Sequence, residues 1–281
     1  MDSDKIYFDK LTLGDTFFFG KNQVVSEDPW NLEWEIIHQE SDYQIAITRQ
    51  LVNCMTFDAK ESKNTVTYRT QAGNNNWAVS NIRQWLNSDA AAGQWYSAQH
   101  TYDAPPTISN LYTGISGTTD YTAKSGFLHY FTEEQKSFLQ DFTLTLAKCS
   151  VDGGGSQIVT QKVFLPTLTQ MGFGNNNGVS EGFIFDKFVD NNNSSRIMTT
   201  HPKLAENVPF INASEVGSIN IANAPWTYIL SSMSETDTKY RGGITYRITE
   251  TGLSYNSSNC YNFTYGIAPC ICLPRTGVCN G

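Results

Sequence analysis

Six cysteines and four histidines are the residues of this 281-residue sequence with the most varied chemistry. Four of the cysteines, namely Cys260, Cys270, Cys272 and Cys279, lie in the last 22 residues, separated by nine, one and six residues. Structural zinc sites need paired C-x2-C knuckles, which this spacing does not supply. Buried or free thiols are therefore the favoured interpretation, and a disulfide and a metal site remain the alternatives.

The remaining candidates for catalysis do not form a familiar constellation. No two histidines are four residues apart, and H-E-x-x-H, G-x-S-x-G, the P-loop and G-x-G-x-x-G are all missing from the sequence. The four histidines are His38, His100, His129 and His201. We therefore expect no catalytic residues, no metal and no cofactor, and we interpret the chain as a protein that is not an enzyme.

Asp186 and residues 190–193 (DNNN) form a small cluster of oxygen-bearing side chains. Such ligands suit calcium, but the regular D-x-D-x-D-G order with a closing glutamate is not present. A solvated turn is the favoured interpretation, and calcium binding is the alternative.

Composition restricts the range of partners. The chain is 40% apolar and 13% aromatic, which predicts a folded protein, and its net charge of −8 disfavours nucleic acid and anionic lipid. No run of 18 apolar residues occurs, so no membrane insertion is expected. Residues 1–10 carry three aspartates where a signal peptide would need a basic and apolar segment, so no leader is predicted.

The elements that must position these residues are mainly antiparallel strands, because short apolar or alternating runs are separated by turn residues. Ser41 and Asp42 predict a hairpin turn between two of the runs. The predicted strands cover residues 6–8, 16–20, 34–38, 43–47, 162–166, 226–231, 243–250 and 265–273.

Two helices are predicted. The first covers residues 80–87, where Ser80 is the N-cap. The second starts at Thr132, whose capping box is completed by Gln135 three residues later, with Phe131 in the position of a hydrophobic staple.

Residues 90–126 form a long insertion without periodicity, which is typical of a lid, a binding loop or an arm between subunits. This insertion and the segment 252–265 are rich in Tyr, Ser, Gly and Asn, the composition of recognition surfaces. We interpret their aromatic residues as candidate ligand contacts, with core packing as the alternative. They are Trp95, Tyr96, Tyr102, Tyr112, Tyr121, Tyr255, Tyr261 and Phe263.

Several motifs resemble, in order, an uncharacterised domain family of gut bacteria and their phages. Residues 77–87 (WAVSNIRQWLN) are similar to its W-x2-S-x-hydrophobic-R-x-W-L-N signature. Residues 131–134, 162–166, 225–232 and 265–269 are similar to its later motifs. Family arginines are replaced near the end, where Ala268 precedes Pro269, so a role for those arginines is not expected here.

The resemblance implies a fold similar to C-type-lectin-like and formylglycine-generating-enzyme-like proteins. The expected class is α+β, mainly antiparallel β with two short helices, and with a C-type-lectin-like core, long loops and a small N-terminal antiparallel sheet. We predict an N-terminal β subdomain at residues 1–70 and a lectin-like domain at residues 71–281, with the insertion at residues 90–126. Arg83 and the two tryptophans of the signature are interpreted as scaffold.

The function expected from these features is that of a phage virion surface protein made in the bacterial cytoplasm, either decorating the particle or binding a host receptor. Its partners would be other virion proteins and a host-surface glycan or protein, and it would be an oligomer. The alternatives are a bacterial carbohydrate-binding module and an oxidase of the formylglycine-generating type that uses Cys270 and Cys272. In a strand, those two side chains share one face, which suits packed thiols better.

Overall fold

Short strands and helices alternate with long irregular segments in this protein. The computed structural model describes residues 5–23, 28–111, 120–174, 177–207, 222–235, 241–261 and 264–281. The strands are β1 (Lys5–Tyr7), β2 (Thr16–Asn22), β3 (Trp30–Gln39), β4 (Tyr43–Thr48), β5 (Gln50–Leu51), β6 (Asn53–Cys54), β7 (Phe142–Ala147), β8 (Ser156–Gln161), β9 (Val163–Phe164), β10 (Thr199–Thr200), β11 (Tyr228–Met233), β12 (Ile244–Ile248), β13 (Ser254–Asn259), β14 (Gly266–Ile267), β15 (Cys270–Pro274) and β16 (Val278–Asn280).

The helices are all short. The α-helices are α1 (Arg69–Ala72), α2 (Asn81–Leu86), α3 (Glu133–Phe138) and α4 (Pro202–Asn207). The 3-10 helices are Phe8–Lys10, Trp77–Val79, Ile108–Asn110, Tyr121–Ala123, Phe127–Tyr130, Ser150–Asp152, Asp186–Phe188 and Asn193–Arg196. The protein is therefore an α+β protein of mainly antiparallel β structure, as predicted.

The first five-stranded sheet has the order β2-β3-β4-β15-β9, and all of its pairs are antiparallel. Its centre is the predicted hairpin of β3 and β4. Trp34 and Ile36 of β3 are fully buried, whereas Asn31 between β3's buried residues is exposed, as period-2 alternation requires. The Trp34 indole N–H donates to the carbonyl of Phe19 on β2 over 2.7 Å, which satisfies its polar atom inside the core.

The second five-stranded sheet has the order β13-β12-β11-β14-β6, with one parallel pair, β11 and β14. Strands that precede residue 70 pair with strands near the C-terminus: β1 with β16, β4 with β15 and β6 with β14. The predicted N-terminal strands therefore do not make a sheet of their own. The boundary at residue 70 stays a prediction.

One predicted strand is two strands in the structure. Residues 265–273 divide into β14, which pairs with β6 and β11, and β15, which pairs with β4 and β9 in the other sheet. Pro269 lies at the crossing and has no N–H to donate, so a continuous ladder cannot pass through it. Its carbonyl still accepts the N–H of Thr48.

Two elements differ from the expectation of loops. The segment 252–265, predicted as a loop, contains β13, an edge strand that pairs with β12. Its composition predicts a turn, but pairing with β12 satisfies the backbone of a polar edge strand. The hairpin of β7 and β8 was not predicted either. It closes through residues 153–155, three glycines that all have positive φ.

Both predicted α-helices are confirmed, α2 and α3. The Ser80 hydroxyl accepts the N–H of Arg83 and so caps α2. At α3, the Thr132 hydroxyl accepts the N–H of Gln135, and the Gln135 side chain accepts the N–H of Thr132, which completes the capping box. Each bond satisfies a donor that the helix itself leaves without a partner.

The cap of α3 gives a stability prediction. Thr132→Ala should lower the free energy of unfolding by about 1 kcal/mol, because the N–H of Gln135 loses its acceptor. Urea unfolding followed by tryptophan fluorescence measures this change. Thr132→Ser is the matched control, since it keeps the hydroxyl and should stay close to the parent. An equal loss in both variants would contradict the capping role.

Candidate functional site

The tryptophan signature is scaffold, as predicted. Trp77 and Trp85 are both fully buried, and their indole N–H groups donate to Gln161 Oε1 and to the carbonyl of Ser125, each over 2.9 Å. The Arg83 guanidinium donates to Gln161 Oε1 over 2.9 Å and to the carbonyl of Ala78 over 3.0 Å. These side chains connect α2 to β8 and to the insertion.

A buried carboxylate fixes the start of α2. Asp58 accepts the backbone N–H of Asn81 at Oδ1 and that of Asn74 at Oδ2, each over 3.0 Å. The Asn81 side chain in turn accepts the N–H of Ala59 over 3.0 Å and donates to Asp103 over 3.1 Å. Asn81, which stands at a variable position of the signature, thus holds together the segment after the first sheet and the insertion.

His100 and Asp103 anchor the insertion to this buried segment. His100 Nε2 lies 3.0 Å from Glu61 Oε1, and Glu61 is fully buried. Glu61 Oε1 also accepts from Asn74 Nδ2 over 3.1 Å. Asp103 Oδ2 accepts the N–H of Gln99 over 2.7 Å, which orders the loop around the histidine. Insertion and core therefore meet at a cluster of three carboxyl groups and one imidazole.

Burial and charge interactions raise the pKa values of three groups in this cluster. Burial, and then the charges of Glu61 and Asp103, raise the pKa of Asp58 well above its usual range. Burial likewise raises the pKa of Asp103. The contact with Glu61 raises the pKa of His100. All three groups therefore bind protons more tightly in the folded protein than in the unfolded chain.

The predicted ligand contacts of the insertion occupy two environments. Trp95 and Tyr121 are core residues, only 4% and 2% exposed, and the Trp95 indole N–H donates to the carbonyl of Tyr121 over 3.1 Å. Tyr96 and Tyr102 are half-buried beside the cluster. Burial and the nearby Asp103 raise the pKa of Tyr96. Of these four residues, only Tyr96 and Tyr102 keep surface that a ligand could touch.

The structure describes the other predicted ligand contacts only in part. Tyr112 and Phe263 lie outside the described residues, and Tyr255 lies in β13 with a side chain outside the described part. Tyr261 is half-buried, and its N–H donates to the carbonyl of Ala72 over 2.8 Å. The N–H of Asp58 donates to the carbonyl of Cys260, and that of Lys60 donates to the carbonyl of Asn110, so both predicted regions contact the segment 58–74.

A polar cavity of about 80 Å³ lies at the end of β3, and sequence reasoning missed it. One wall is Trp30, whose indole stacks on the His201 imidazole with ring centroids 4.7 Å apart and planes 14° apart. Phe18 lines the rim and is 53% exposed. We call this space the Trp30 cavity. Burial, and then the charge of Lys203, lower the pKa of His201, so the imidazole is neutral at pH 7.

One residue that lines the Trp30 cavity has an unsatisfied buried hydroxyl. Thr48 lines this cavity, is 1% exposed, and its Oγ1 has no hydrogen-bond partner among the described residues. Glu33 and Gln50 also line the cavity. The Glu33 carboxylate is held by Arg49 over 3.3 Å, and the Gln50 amide donates to Asn223 over 2.8 Å. A small number of positioned polar groups beside aromatic walls is typical of binding sites for small ligands.

A signal for this cavity exists in the sequence. Residues 17–19 are three consecutive phenylalanines in a strand, so alternation must place one ring opposite to the other two. Phe17 and Phe19 are buried and Phe18 points outward. An outward aromatic ring on a strand is the sequence feature that indicates an accessible surface at this position. The pairing of Trp30 with His201, which are 171 positions apart, has no local signal.

All six cysteines are buried free thiols in the structure, in agreement with the favoured interpretation. Burial raises the pKa of Cys272 to about 12 and that of Cys270 well above its usual range. A thiol must ionise to act as a nucleophile or a metal ligand, and burial disfavours the thiolate form of both residues.

The candidate calcium cluster is used within the fold. Asp186 Oδ2 lies 3.0 Å from His38 Nδ1 and accepts the N–H of Gln39 over 3.1 Å. Asn191 binds the Arg196 guanidinium through its side chain. Among the residues the structure describes, no group of three His, Cys, Asp or Glu side chains is arranged to hold a metal ion. Within the same residues, no helix is both long and apolar enough to cross a bilayer.

Fold and site define a mainly antiparallel α+β protein with a long insertion docked on a buried acidic segment. Residues 43–275 match the family described as a domain of unknown function, DUF6273. The chain belongs to this family, and the matched range contains residues 77–87, the insertion and most of both five-stranded sheets. No curated protein and no solved structure matches the chain.

The cluster around His100 predicts a pH dependence of stability. Because the pKa of His100 is raised in the folded state, its contribution is complete below the unfolded pKa of about 6.5 and is lost as pH rises through the folded pKa. The raised pKa values of Asp58 and Asp103 act in the same direction. The free energy of unfolding should therefore fall as pH rises above about 6.5, as urea titrations between pH 5.5 and 8.5 would measure.

The variant His100→Gln measures the contribution of His100 to this pH dependence. Its amide still donates to Glu61 but does not titrate, so the fall across this range should shrink by about 1 kcal/mol or less. His129→Gln is the matched control, since His129 is exposed and contacts the carbonyl of Asp89 instead. If the free energy of unfolding falls with pH at the same slope in both variants, His100 does not anchor the insertion through its charge.

Proposed function

We propose that this chain is a non-enzymatic binding protein that takes a hydroxyl-rich ligand, a glycan, at the Trp30 cavity. The observation that carries the proposal is the buried hydroxyl of Thr48, which lines the cavity and has no partner among the described residues. A buried polar group without a hydrogen bond costs about 1–3 kcal/mol. A ligand hydroxyl that bonds to Thr48 Oγ1 removes this cost.

The aromatic rings support the same ligand class. Sugar rings present C–H faces that pack on aromatic side chains and hydroxyl edges that need polar partners. Phe18 supplies an exposed ring at the rim, and the stacked pair of Trp30 and His201 makes a rigid wall. Stacking fixes the orientation of the indole before a ligand arrives, which lowers the entropic cost of binding.

The charged groups of the cavity favour a neutral ligand. Glu33 is already paired with Arg49 across 3.3 Å, and the lowered pKa of His201 keeps that ring uncharged at pH 7. The cavity thus offers acceptors and amide groups without a net charge to neutralise. This environment suits hydroxyl groups better than a phosphate or an ammonium group.

The insertion supplies a second contact surface in this proposal. Tyr96 and Tyr102 keep exposed surface, and the bonds of His100 and Asp103 hold the loop in place. Preorganised tyrosines give contact area at a low cost in conformational entropy. An insertion held this way can serve a protein or glycan partner without refolding.

The oxidase alternative has less support. Cys270 and Cys272 are buried in β15, and their raised pKa values oppose formation of a thiolate. Cys272 Sγ contacts Gln140 Oε1 at 3.7 Å, a packed environment for a thiol. A binding module on the surface of a bacterium or a phage particle needs neither thiol, so we keep the binding function as the proposal.

A virion location is part of the proposal. We expect the chain on the surface of a phage particle, where decoration and host attachment both use binding surfaces without catalysis. Mass spectrometry of purified particles should detect this chain together with other virion proteins. If purified particles lack the chain while infected-cell lysates contain it, the virion location is wrong, although the binding function could still hold.

Thr48→Val tests the Trp30 cavity with two readouts of opposite sign. Valine keeps the branched shape of threonine but removes the hydroxyl, so affinity for a glycan identified on an array should fall about threefold to tenfold in isothermal titration calorimetry. The unliganded variant should be as stable as the parent or more so, because it loses a buried hydroxyl without a partner. Weaker binding with a destabilised free protein would indicate a structural role instead.

Thr143→Val is the matched control for this experiment. Thr143 lies on β7, and its hydroxyl bonds to that of Thr160 over 2.9 Å on an exposed hairpin. This variant should leave glycan affinity unchanged. If no glycan binds the parent protein on the array or in calorimetry, the proposed function fails.

A further inference from the structure

A second and larger cavity lies next to the Trp30 cavity. Its volume is about 360 Å³, and it lies between β1, the start of β2 and the C-terminal residue Gly281. We call it the Lys10 cavity. Its polar lining includes Lys5, Tyr7, Lys10 and Thr16. Phe18 lines both cavities and so forms a shared wall.

The two cavities differ in size, and so in how much of a ligand each can enclose. Ligand pockets typically enclose about 300–1,000 Å³. The Trp30 cavity, at about 80 Å³, is too small to enclose a sugar ring and can accept only an edge of one. The Lys10 cavity, at about 360 Å³, falls within the usual range. A ligand that reaches Thr48 must therefore extend out of the Trp30 cavity, and Phe18 lies on the path into the larger one.

A backbone irregularity follows Phe18 directly in β2. The pairing of β2 with β3 shifts register between Phe18 and Lys21, which marks a β-bulge. Gly20 sits inside the bulge with φ of +72°, a conformation that favours glycine, and a Cβ there would lie 2.4 Å from the ring of Phe131. Phe18 is the last regularly paired residue before the bulge, and it lines both cavities.

The chemistry of the two linings is complementary. The Trp30 cavity offers the Glu33 carboxylate as an acceptor, whereas the Lys10 cavity offers ammonium and phenol donors. Lys10 also pairs with Asp9 over 2.9 Å, so its charge is balanced locally. A ligand that satisfies both ends must donate hydrogen bonds in the Trp30 cavity and accept them in the Lys10 cavity, and the hydroxyl groups of a glycan can do both.

We propose that the two cavities form one groove for a linear glycan of at least two sugar units, which crosses the ring of Phe18. This inference rests on the proposed function, and it adds the length and the path of the ligand. One sugar edge enters the Trp30 cavity beside Thr48, the chain passes over Phe18, and the next unit occupies the Lys10 cavity.

The test compares glycans of one, two and four sugar units, cut from the structure of the best array hit. Calorimetry on the full chain should show affinity rising at least about fivefold from one unit to two or more. Phe18→Ala should remove most of this gain, because both units contact the ring. The ring is more than half exposed, so the variant should keep the thermal unfolding midpoint of the parent.

Lys10→Gln tests the far end of the groove, and it should reduce the ratio of the affinities for two units and one unit. Lys162→Gln, on an exposed residue away from both cavities, is the matched control and should keep the parent ratio. If a glycan of one sugar unit binds as tightly as one of four units, the proposed groove is wrong, and the proposed site at the Trp30 cavity is unaffected. If Phe18→Ala keeps the full gain with length, the path over Phe18 is also overturned.

Discussion

The buried carboxylate of Asp58 is the constraint on which much of this structure depends. Its two oxygens accept the backbone N–H groups of Asn74 and Asn81, so one side chain ties together two loops and the start of α2. A buried carboxyl group without such partners would be strongly unfavourable. Once Asp58 is fixed, the Asn81 side chain is oriented to bond Asp103, and through it the insertion gains a defined position.

The tryptophan motif at residues 77–87 is explained by this arrangement. Trp77, Arg83 and Trp85 bond to Gln161 or to the insertion, and Ser80 caps α2. Helix α2 has only six residues and would not be stable in isolation, so these tertiary bonds hold it. The most conspicuous motif of the sequence thus serves to position other segments. The proposed glycan site at the Trp30 cavity lies elsewhere, on the edge of the first sheet.

That edge is a place where the sheet departs from regular geometry. Alternation exposes Phe18, the bulge at Gly20 follows it, and the residue lines both cavities. Regular pairing with β3 resumes at Lys21 and Asn22, beside Trp30. Binding surfaces are often built where a rigid sheet ends or bends, because the strands hold the side chains in place while the edge stays accessible.

The sequence by itself determined the local features whose causes are local. Alternation predicted the hairpin of β3 and β4, and the capping residues Ser80 and Thr132 predicted α2 and α3. Only the tertiary structure decided which strands share a sheet, that Trp95 and Tyr121 are core, and that Trp30 stacks on His201. Caps and alternation depend on neighbours within a few positions, whereas burial and stacking depend on contacts between distant segments, which composition does not specify.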